Sequence, residues 1–177
     1  MAATYILISS QVLGSSAASV TFSSIPQTYT DLVLRASVRS DYTSASSDLA
    51  KINLNSDTTI SNYSYTTVQG IYTSASSNRG GSGSSYDGSM LVEGGNNTAN
   101  TFGSLEWYIP NYTLTGVKQS IDFDVIETAL TAAGANYLKL NAHYYIGTSA
   151  ITGITLTGGN GTFATNSSFY LYGIKNS

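Results

Sequence analysis

Leu32-Val-Leu-Arg-Ala-Ser-Val-Arg39 sets Leu32, Leu34, Ala36 and Val38 on one side of an extended chain and Arg35, Ser37 and Arg39 on the other. A period of two marks a half-buried strand, because successive side chains leave a strand on opposite faces. The same reading extends in both directions. Upstream it predicts strands over Tyr5 to Ser9 and Ser19 to Phe22, followed by the turn signal Ser24-Ile-Pro-Gln-Thr28. Downstream, Ala50 to Leu54 places Ile52 and Leu54 inward, Asn55-Ser-Asp57 makes a turn, and Asn62 to Val68 carries Tyr63 and Tyr65 on one face.

In the C-terminal third, Ser120-Ile-Asp-Phe-Asp-Val-Ile126 is expected to point Ile121, Phe123 and Val125 inward and Asp122 and Asp124 to solvent. Strands are also expected at Phe102 to Ile109, closed by Pro110, at Tyr137 to Tyr144, at Ile151 to Leu156 and at Phe169 to Ile174. Helical propensity is confined to Thr128 to Ala135, where Gly134 limits it to about two turns. About nine or ten strands without alternating helices imply an all-β fold, an antiparallel β-sandwich formed as a single domain over residues 1–177. Two stretches are expected as long loops: the Gly/Ser-rich run from Thr73 to Ser89, and Glu93 to Thr101. The Ser/Thr-rich texture has no matching apolar register, which excludes a solenoid or propeller.

Composition narrows the possible functions. Charged residues are 10% of the chain, against roughly 25% in typical soluble domains. A surface covered by hydroxyls and amides suits repeated close contacts, since few charges need desolvating when copies pack. Net charge is −3 and the 7 Lys and Arg residues are scattered, so no electrostatic footprint for nucleic acid is present. The absence of cysteine excludes disulfides and thiolate metal sites. The start, Met1-Ala-Ala-Thr-Tyr-Ile-Leu-Ile-Ser-Ser10, lacks the basic region of a signal peptide, and no apolar run approaches the ~20 residues of a membrane helix, so a soluble product is expected.

Four segments carry a resemblance. They are Phe22-Ser-Ser-Ile-Pro-Gln-Thr-Tyr-Thr-Asp-Leu-Val-Leu-Arg-Ala-Ser37; Ile52-Asn-Leu-Asn-Ser-Asp-Thr58 with Asn62-Tyr-Ser-Tyr65; Trp107-Tyr-Ile-Pro-Asn-Tyr112; and Ile151-Thr-Gly-Ile-Thr-Leu156 with Phe169-Tyr-Leu-Tyr-Gly-Ile-Lys175. Together they resemble a family of small virion proteins of tailed bacteriophages, whose members include head decoration (cement) proteins, head fibres and parts of tail or receptor-binding assemblies. The resemblance implies a jelly-roll type of sandwich, with Ile-Pro-x-x-Tyr-x-x-Leu opening the first core strand and Leu-Tyr-Gly-Ile closing the last. It further implies a non-enzymatic structural role on the outer surface of the head, as a homo-oligomer, expected to be a trimer, bound to the major capsid protein or other virion proteins. A tail position with a host surface glycan as ligand is the alternative. No cofactor, nucleic acid or membrane partner is expected. Bland readings stand beside these motifs: Pro26 and Pro110 punctuate strand ends, and Gly173 permits a bend or a close backbone approach.

Candidates for chemistry are few. His143, the single histidine, is expected at a strand surface or edge, with no Gly-x-Ser-x-Gly elbow to complete a triad. Asp122 and Asp124, about 7 Å apart on one strand face, could form a carboxylate pair for glycoside hydrolysis, but a solvated strand face is the commoner outcome. Asn53, Asn55 and Asp57 place oxygens at alternate positions as a calcium loop does, yet lack its glycine and distal glutamate, and a hairpin turn explains them better. Asn-x-Ser/Thr triplets at Asn62, Asn96, Asn111, Asn160 and Asn166 are expected by chance in so hydroxyl-rich a chain. Arg79, an isolated cation in the Gly/Ser stretch, would either pair with a carboxylate of a neighbouring subunit or serve as a solubilising charge. The contact residues expected are Arg79, Tyr86, Trp107 and Tyr108, since arginines and aromatics most often anchor interfaces.

Overall fold

The computed structural model describes residues 4–71, 73–80, 90–127 and 136–175. Twelve strands lie among them: β1 (Tyr5–Val12), β2 (Ser19–Phe22), β3 (Asp31–Val38), β4 (Ser47–Leu54), β5 (Tyr63–Ile71), β6 (Ser74–Gly80), β7 (Met90–Glu93), β8 (Gly103–Ile109), β9 (Lys118–Glu127), β10 (Asn136–Tyr145), β11 (Ile154–Thr157) and β12 (Ser168–Ile174). They form two antiparallel sheets, an eight-stranded one in the order β1-β12-β3-β8-β9-β10-β5-β6 and a four-stranded one in the order β2-β11-β4-β7. The expected all-β antiparallel sandwich is what the chain adopts.

The alternation read in β3 holds. Leu32, Leu34, Ala36 and Val38 are buried in the core between the sheets, where Ile52 and Leu54 of β4, Leu156 of β11 and Leu171 of β12 meet them. Phe163 and Phe169 pack edge to face with ring centroids 5.2 Å apart. Trp107 of β8 is 1% exposed. Its indole N–H donates to Ser120 Oγ at 2.9 Å, which satisfies the one polar atom that the ring brings inside.

Leu54 to Asp57 form a tight turn at the end of β4, but not the expected hairpin, because the next strand, β5, belongs to the other sheet. Asp57 N–H donates to Leu54 O at 2.9 Å, and Asn55 and Ser56 have φ of 53° and 59°. Two consecutive left-handed residues are what the twist-matched type I′ turn requires, and asparagine tolerates that region better than most residues.

Two strands lie where the sequence reading placed none. Ser74–Gly80, read as part of a long loop, is strand β6, paired with β5 from Tyr65↔Gly80 to Ile71↔Ser74. Its side chains have no apolar alternation because six of its seven residues are exposed. The remainder of that expected loop, 81–89, lies outside the described residues, as does the expected helix over 128–135. Met90–Glu93, which the sequence reading left without a strand, is β7 at the edge of the smaller sheet and is buried throughout. The stretch after it is tied down by Arg39, whose guanidinium donates to the carbonyls of Gly95, Asn97, Thr98 and Thr101 at 2.9–3.0 Å.

The largest departure is in β9. Cross-strand pairing sets Asp122 beside Trp107 and Asp124 beside Leu105, on the side that faces the smaller sheet. Asp122 and Asp124 are buried, at 1% and 0% exposure, while Ile121 and Phe123 are about half exposed at 52% and 48%. The expected orientation of this strand is therefore reversed. Period two states that alternate residues part company; which set goes inside is decided by the neighbouring strands. The adjoining strand β10 turns Lys139, Asn141 and His143 to the same inner side, so the aspartates find partners there.

Candidate functional site

Reversal of β9 and β10 creates two unusual surfaces. On the inner side lies a buried polar lattice. His143 Nε2 is 2.9 Å from Asp122 Oδ2, and Asn141 Nδ2 donates to the other oxygen of the same carboxylate. Asp124 Oδ2 accepts the Leu91 backbone N–H at 2.8 Å. Burial, and then the neighbouring Asp122 charge, push the Asp124 carboxyl well above the usual carboxylate range. Burial likewise pulls the Lys139 ammonium below its ordinary value, against the opposing pull of Asp124 and Asp122. Lys139 Nζ also sits over the Tyr65 ring, 5.8 Å from its centroid.

This lattice corrects two readings. His143 is 6% exposed, neither a surface nor an edge residue, and the two aspartates do not sit on a solvated face. Chemically, His143 and Asp122 have the separation of a base and its orienting carboxylate. Ser120, opposite His143 in the register, already accepts the Trp107 indole N–H, and the His143 side chain is only 5% exposed. The Asp122 carboxylate is thus held by Asn141 and His143, whereas Asp124 is bonded through one oxygen to the Leu91 backbone of the smaller sheet and its other oxygen, buried, has no hydrogen-bond partner.

On the outer side lies an apolar face. One row of paired residues crosses the whole larger sheet: Leu7, Tyr172, Val33, Tyr108, Ile121, Ala142, Thr66 and Arg79. The adjoining row carries Arg35, Glu106, Phe123, Leu140 and Val68. Leu138, Leu140, Phe123, Ile121 and Val68 are 42–56% exposed. Such residues scattered singly are ordinary, but here they adjoin across three neighbouring strands. The charges on this face among the described residues are few: Arg35 and Glu106 pair at 2.7 Å, Asp31 lies buried under the Tyr108 hydroxyl at 2.9 Å, and Arg79 stands at the β6 flank. Two depressions indent the face. One of about 620 Å³ lies among Thr66, Arg79, Gln119, Ile121, Ala142 and Tyr144. The other, of about 310 Å³, lies among Ser104, Glu106, Tyr108, Ile121, Phe123 and Leu140.

The expected contact residues are distributed unevenly. Arg79 and Tyr108 both reach the outer face, four strands apart. Burial beside Asp31, whose carboxylate accepts the phenol proton, raises the Tyr108 pKa above its ordinary value. Trp107, expected at a contact, instead fills the core, because its neighbours in sequence alternate about it and it falls on the inward set. Tyr86 lies outside the described residues. Sequence reading missed Ile121, Phe123, Leu138 and Leu140 as surface residues, since a strand with apolar residues on one face is ordinarily assigned that face as core.

The candidate calcium oxygens are engaged elsewhere. Asn53 Nδ2 donates to Asp57 O at 2.8 Å. Asn55 Oδ1 accepts the Thr152 N–H at 2.7 Å. The Asp57 carboxylate accepts from Thr59 N–H, Asn62 Nδ2 and Tyr145 OH. Donors therefore already occupy the Asn55 and Asp57 side-chain oxygens, in a turn that links the two sheets rather than a hairpin.

Among the described residues no helix is long and apolar enough to cross a membrane. No protein-family model and no curated protein matches the chain.

Proposed function

We propose that this chain is a non-enzymatic structural protein of a virus particle, a capsid decoration (cement) protein that reinforces a phage head by associating with itself and with the shell. One observation carries the structural half of this reading: the half-exposed Ile121, Phe123, Leu138, Leu140 and Val68 are gathered on the outward face of the larger sheet, while Asp122, Asp124, Lys139 and His143 of the same strands are buried on its inner side. A face of this kind is stable in water only at a cost and gains by being covered. A chain with 10% charged residues has little to desolvate when it is. The virion assignment, the jelly-roll kinship and the trimer belong to the resemblance described above; of the motifs that carry it, Ile25-Pro26 lies in the connection from β2 of the smaller sheet to β3 of the larger one, and Leu171 to Ile174 ends β12.

Mechanically, a protein that binds the assembled shell and not its free subunits stabilises the shell by mass action. Incubating the purified chain with expanded, undecorated heads and with free capsid subunits tests this. Saturable binding to heads, with a raised temperature of head disruption, is expected; indifference to heads overturns the reading.

The second reading is a tail-borne carbohydrate-binding module. It is favoured by the smaller depression, where Tyr108 and Phe123 stand beside Glu106, an aromatic and carboxylate grouping suited to a sugar ring. Specific retention on a glycan array, with no binding to heads, would select it.

A further inference from the structure

We propose that Asn160-Gly161 is a modification site, a deamidation point that the Asp48 carboxylate holds closed and that opens, irreversibly, once that contact is lost. It stands apart from the decoration role and would hold whatever the chain binds.

Chemistry singles out this pair. It is the one Asn-Gly step in the chain. Asparagine is a thermolabile residue, and a following glycine, lacking a side chain, leaves its backbone nitrogen open to attack the amide before it. In that reaction the Gly161 nitrogen bonds to Asn160 Cγ, its proton leaves with the side-chain nitrogen as ammonia, and a five-membered imide remains. Water then opens the imide at either carbonyl, giving aspartate or isoaspartate. Asn160 is exposed, so water reaches it.

Packing explains why so labile a pair stands here. A methyl group at 161 would collide with Asp41 Oδ1, Ser40 Oγ and Tyr42 N, and one at 159 with Leu49 O and Asp48 Oδ1. Glycine is what lets the loop after β11 lie against Asp48. Seated there, Asp48 Oδ1 accepts the Asn160 backbone N–H at 3.0 Å and its side-chain Nδ2–H at 3.2 Å, and Oδ2 accepts the Gly161 N–H at 3.0 Å. Consecutive N–H groups aimed at one anion form a nest. Both reacting groups are thereby held by a third, the nitrogen through its hydrogen and the amide through its own.

Asp48 is itself fixed. It is 3% exposed and also accepts the Leu49 N–H at 2.8 Å and the Ser40 hydroxyl at 2.7 Å. Burial opposes its ionisation, but the hydrogen bonds outweigh burial and keep the carboxyl below its ordinary range, so it is a poor base for the Gly161 proton. Once deamidation has occurred, a second carboxylate faces Asp48 where an amide N–H stood. The loop then has nothing to reseat on.

Peptide mapping of the full chain during incubation in mildly alkaline buffer, reading aspartate and isoaspartate at residue 160, tests the proposal. Conversion in the folded wild type is expected to be slower than in the urea-unfolded chain by about 10-fold or more, the worth of one hydrogen bond to a charged group. Asp48→Ala is expected to raise the folded rate by a similar factor. Asp41→Ala is the control: it releases Thr162, whose N–H and hydroxyl donate to Asp41 at 2.7 and 2.6 Å, and leaves the Gly161 N–H on Asp48. Its rate should stay near wild type. Asn160→Asp, the product of the reaction, should melt below wild type at neutral pH and converge on it in acid, where the two carboxyls no longer repel.

Equal rates in the folded and unfolded wild type overturn the inference, a comparison that stands even where Asp48→Ala does not fold. A folded Asp48→Ala chain that converts no faster than wild type does the same. Acceleration by Asp41→Ala to the level of Asp48→Ala would assign the protection to the loop as a whole and overturn the role given to Asp48. An Asn160→Asp chain as stable as wild type overturns the irreversible opening.

Discussion

The Tyr29 ring lies directly over Gly173, filling the volume that any side chain at that position would occupy. The two residues come from opposite ends of the chain. Tyr29 belongs to the Ile-Pro-x-x-Tyr segment before β3, and Gly173 to the Leu-Tyr-Gly-Ile segment of β12, the strand that pairs with β3. The close backbone approach anticipated at Gly173 is thus made by a ring from the other motif, and Thr30 N–H donating to Ile174 O at 2.8 Å holds the two segments in place.

Gly173→Ala should therefore cost about 1–3 kcal/mol, the usual penalty for forcing atoms into a filled site. Tyr29→Ala in the same chain should relieve much of that penalty, so the two substitutions combine to less than the sum of their separate effects. Chemical denaturation of the four species measures the coupling, and strict additivity would show that the ring is not the obstacle.

Asp124 should make the protein less stable as pH rises. Its carboxyl holds a proton more tightly in the folded chain than in the unfolded one, because burial and then the adjacent Asp122 oppose its ionisation. The folded state consequently loses stability as pH climbs above the ordinary carboxylate value of 3.8 towards the raised one. Asp124→Asn keeps an oxygen for the Leu91 N–H and removes the ionisation, so it is expected to stabilise the protein at neutral pH by about 1–2 kcal/mol. Wild type and variant should converge in acid. Melting temperatures across the pH range read this directly.

Asp48 works in the opposite direction. Burial alone would raise its pKa, but hydrogen bonds from Asn160, Ser40, Gly161 and Leu49 together outweigh burial and lower it. They join the start of β4 to the loop after β11. The stability this contributes is complete above the ordinary carboxylate range and disappears as pH falls through the lowered value. Asp48→Asn should cost about 2 kcal/mol at neutral pH, and the difference should close at the acid end.

Arg39 is the anchor of residues 94–101. Its planar fork reaches four carbonyls and the Thr101 hydroxyl, a geometry that a lysine ammonium does not reproduce. Arg39→Lys should cost about 2 kcal/mol and speed amide exchange in this stretch more than in β3 or β8. Uniform acceleration over the whole chain would argue against a local role.

The lattice of β9, β10 and β5 explains why the site was harder to read than the fold. Leu32 to Val38 could be assigned its inner face from the sequence because its opposite face carries Arg35 and Ser37, which pair with Glu106 and Ser104 at the surface. Ser120 to Ile126 offers the same alternation with the sense inverted, and nothing local distinguishes the two cases. Asp122 is tolerated inside because Asn141, opposite it, and His143 both reach its carboxylate, and Asp124 because Lys139 arrives opposite it and the Leu91 N–H donates to it. Ser74–Gly80 was hidden for a related reason: as an edge strand with exposed side chains it needs no apolar residues, and its strand identity comes entirely from backbone pairing with β5.

The amino-acid order alone determined that this chain would form strands and turns and pack them as an antiparallel sandwich, because period-two alternation, β-branched and aromatic residues and Asn/Gly corners act over a few residues at a time. Tertiary structure alone decided which face of β9 and β10 became interior, where Trp107 went, and that Tyr29 would meet Gly173. Those outcomes depend on partners distant in sequence, whose hydrogen bonds and shapes exist only once the strands have paired.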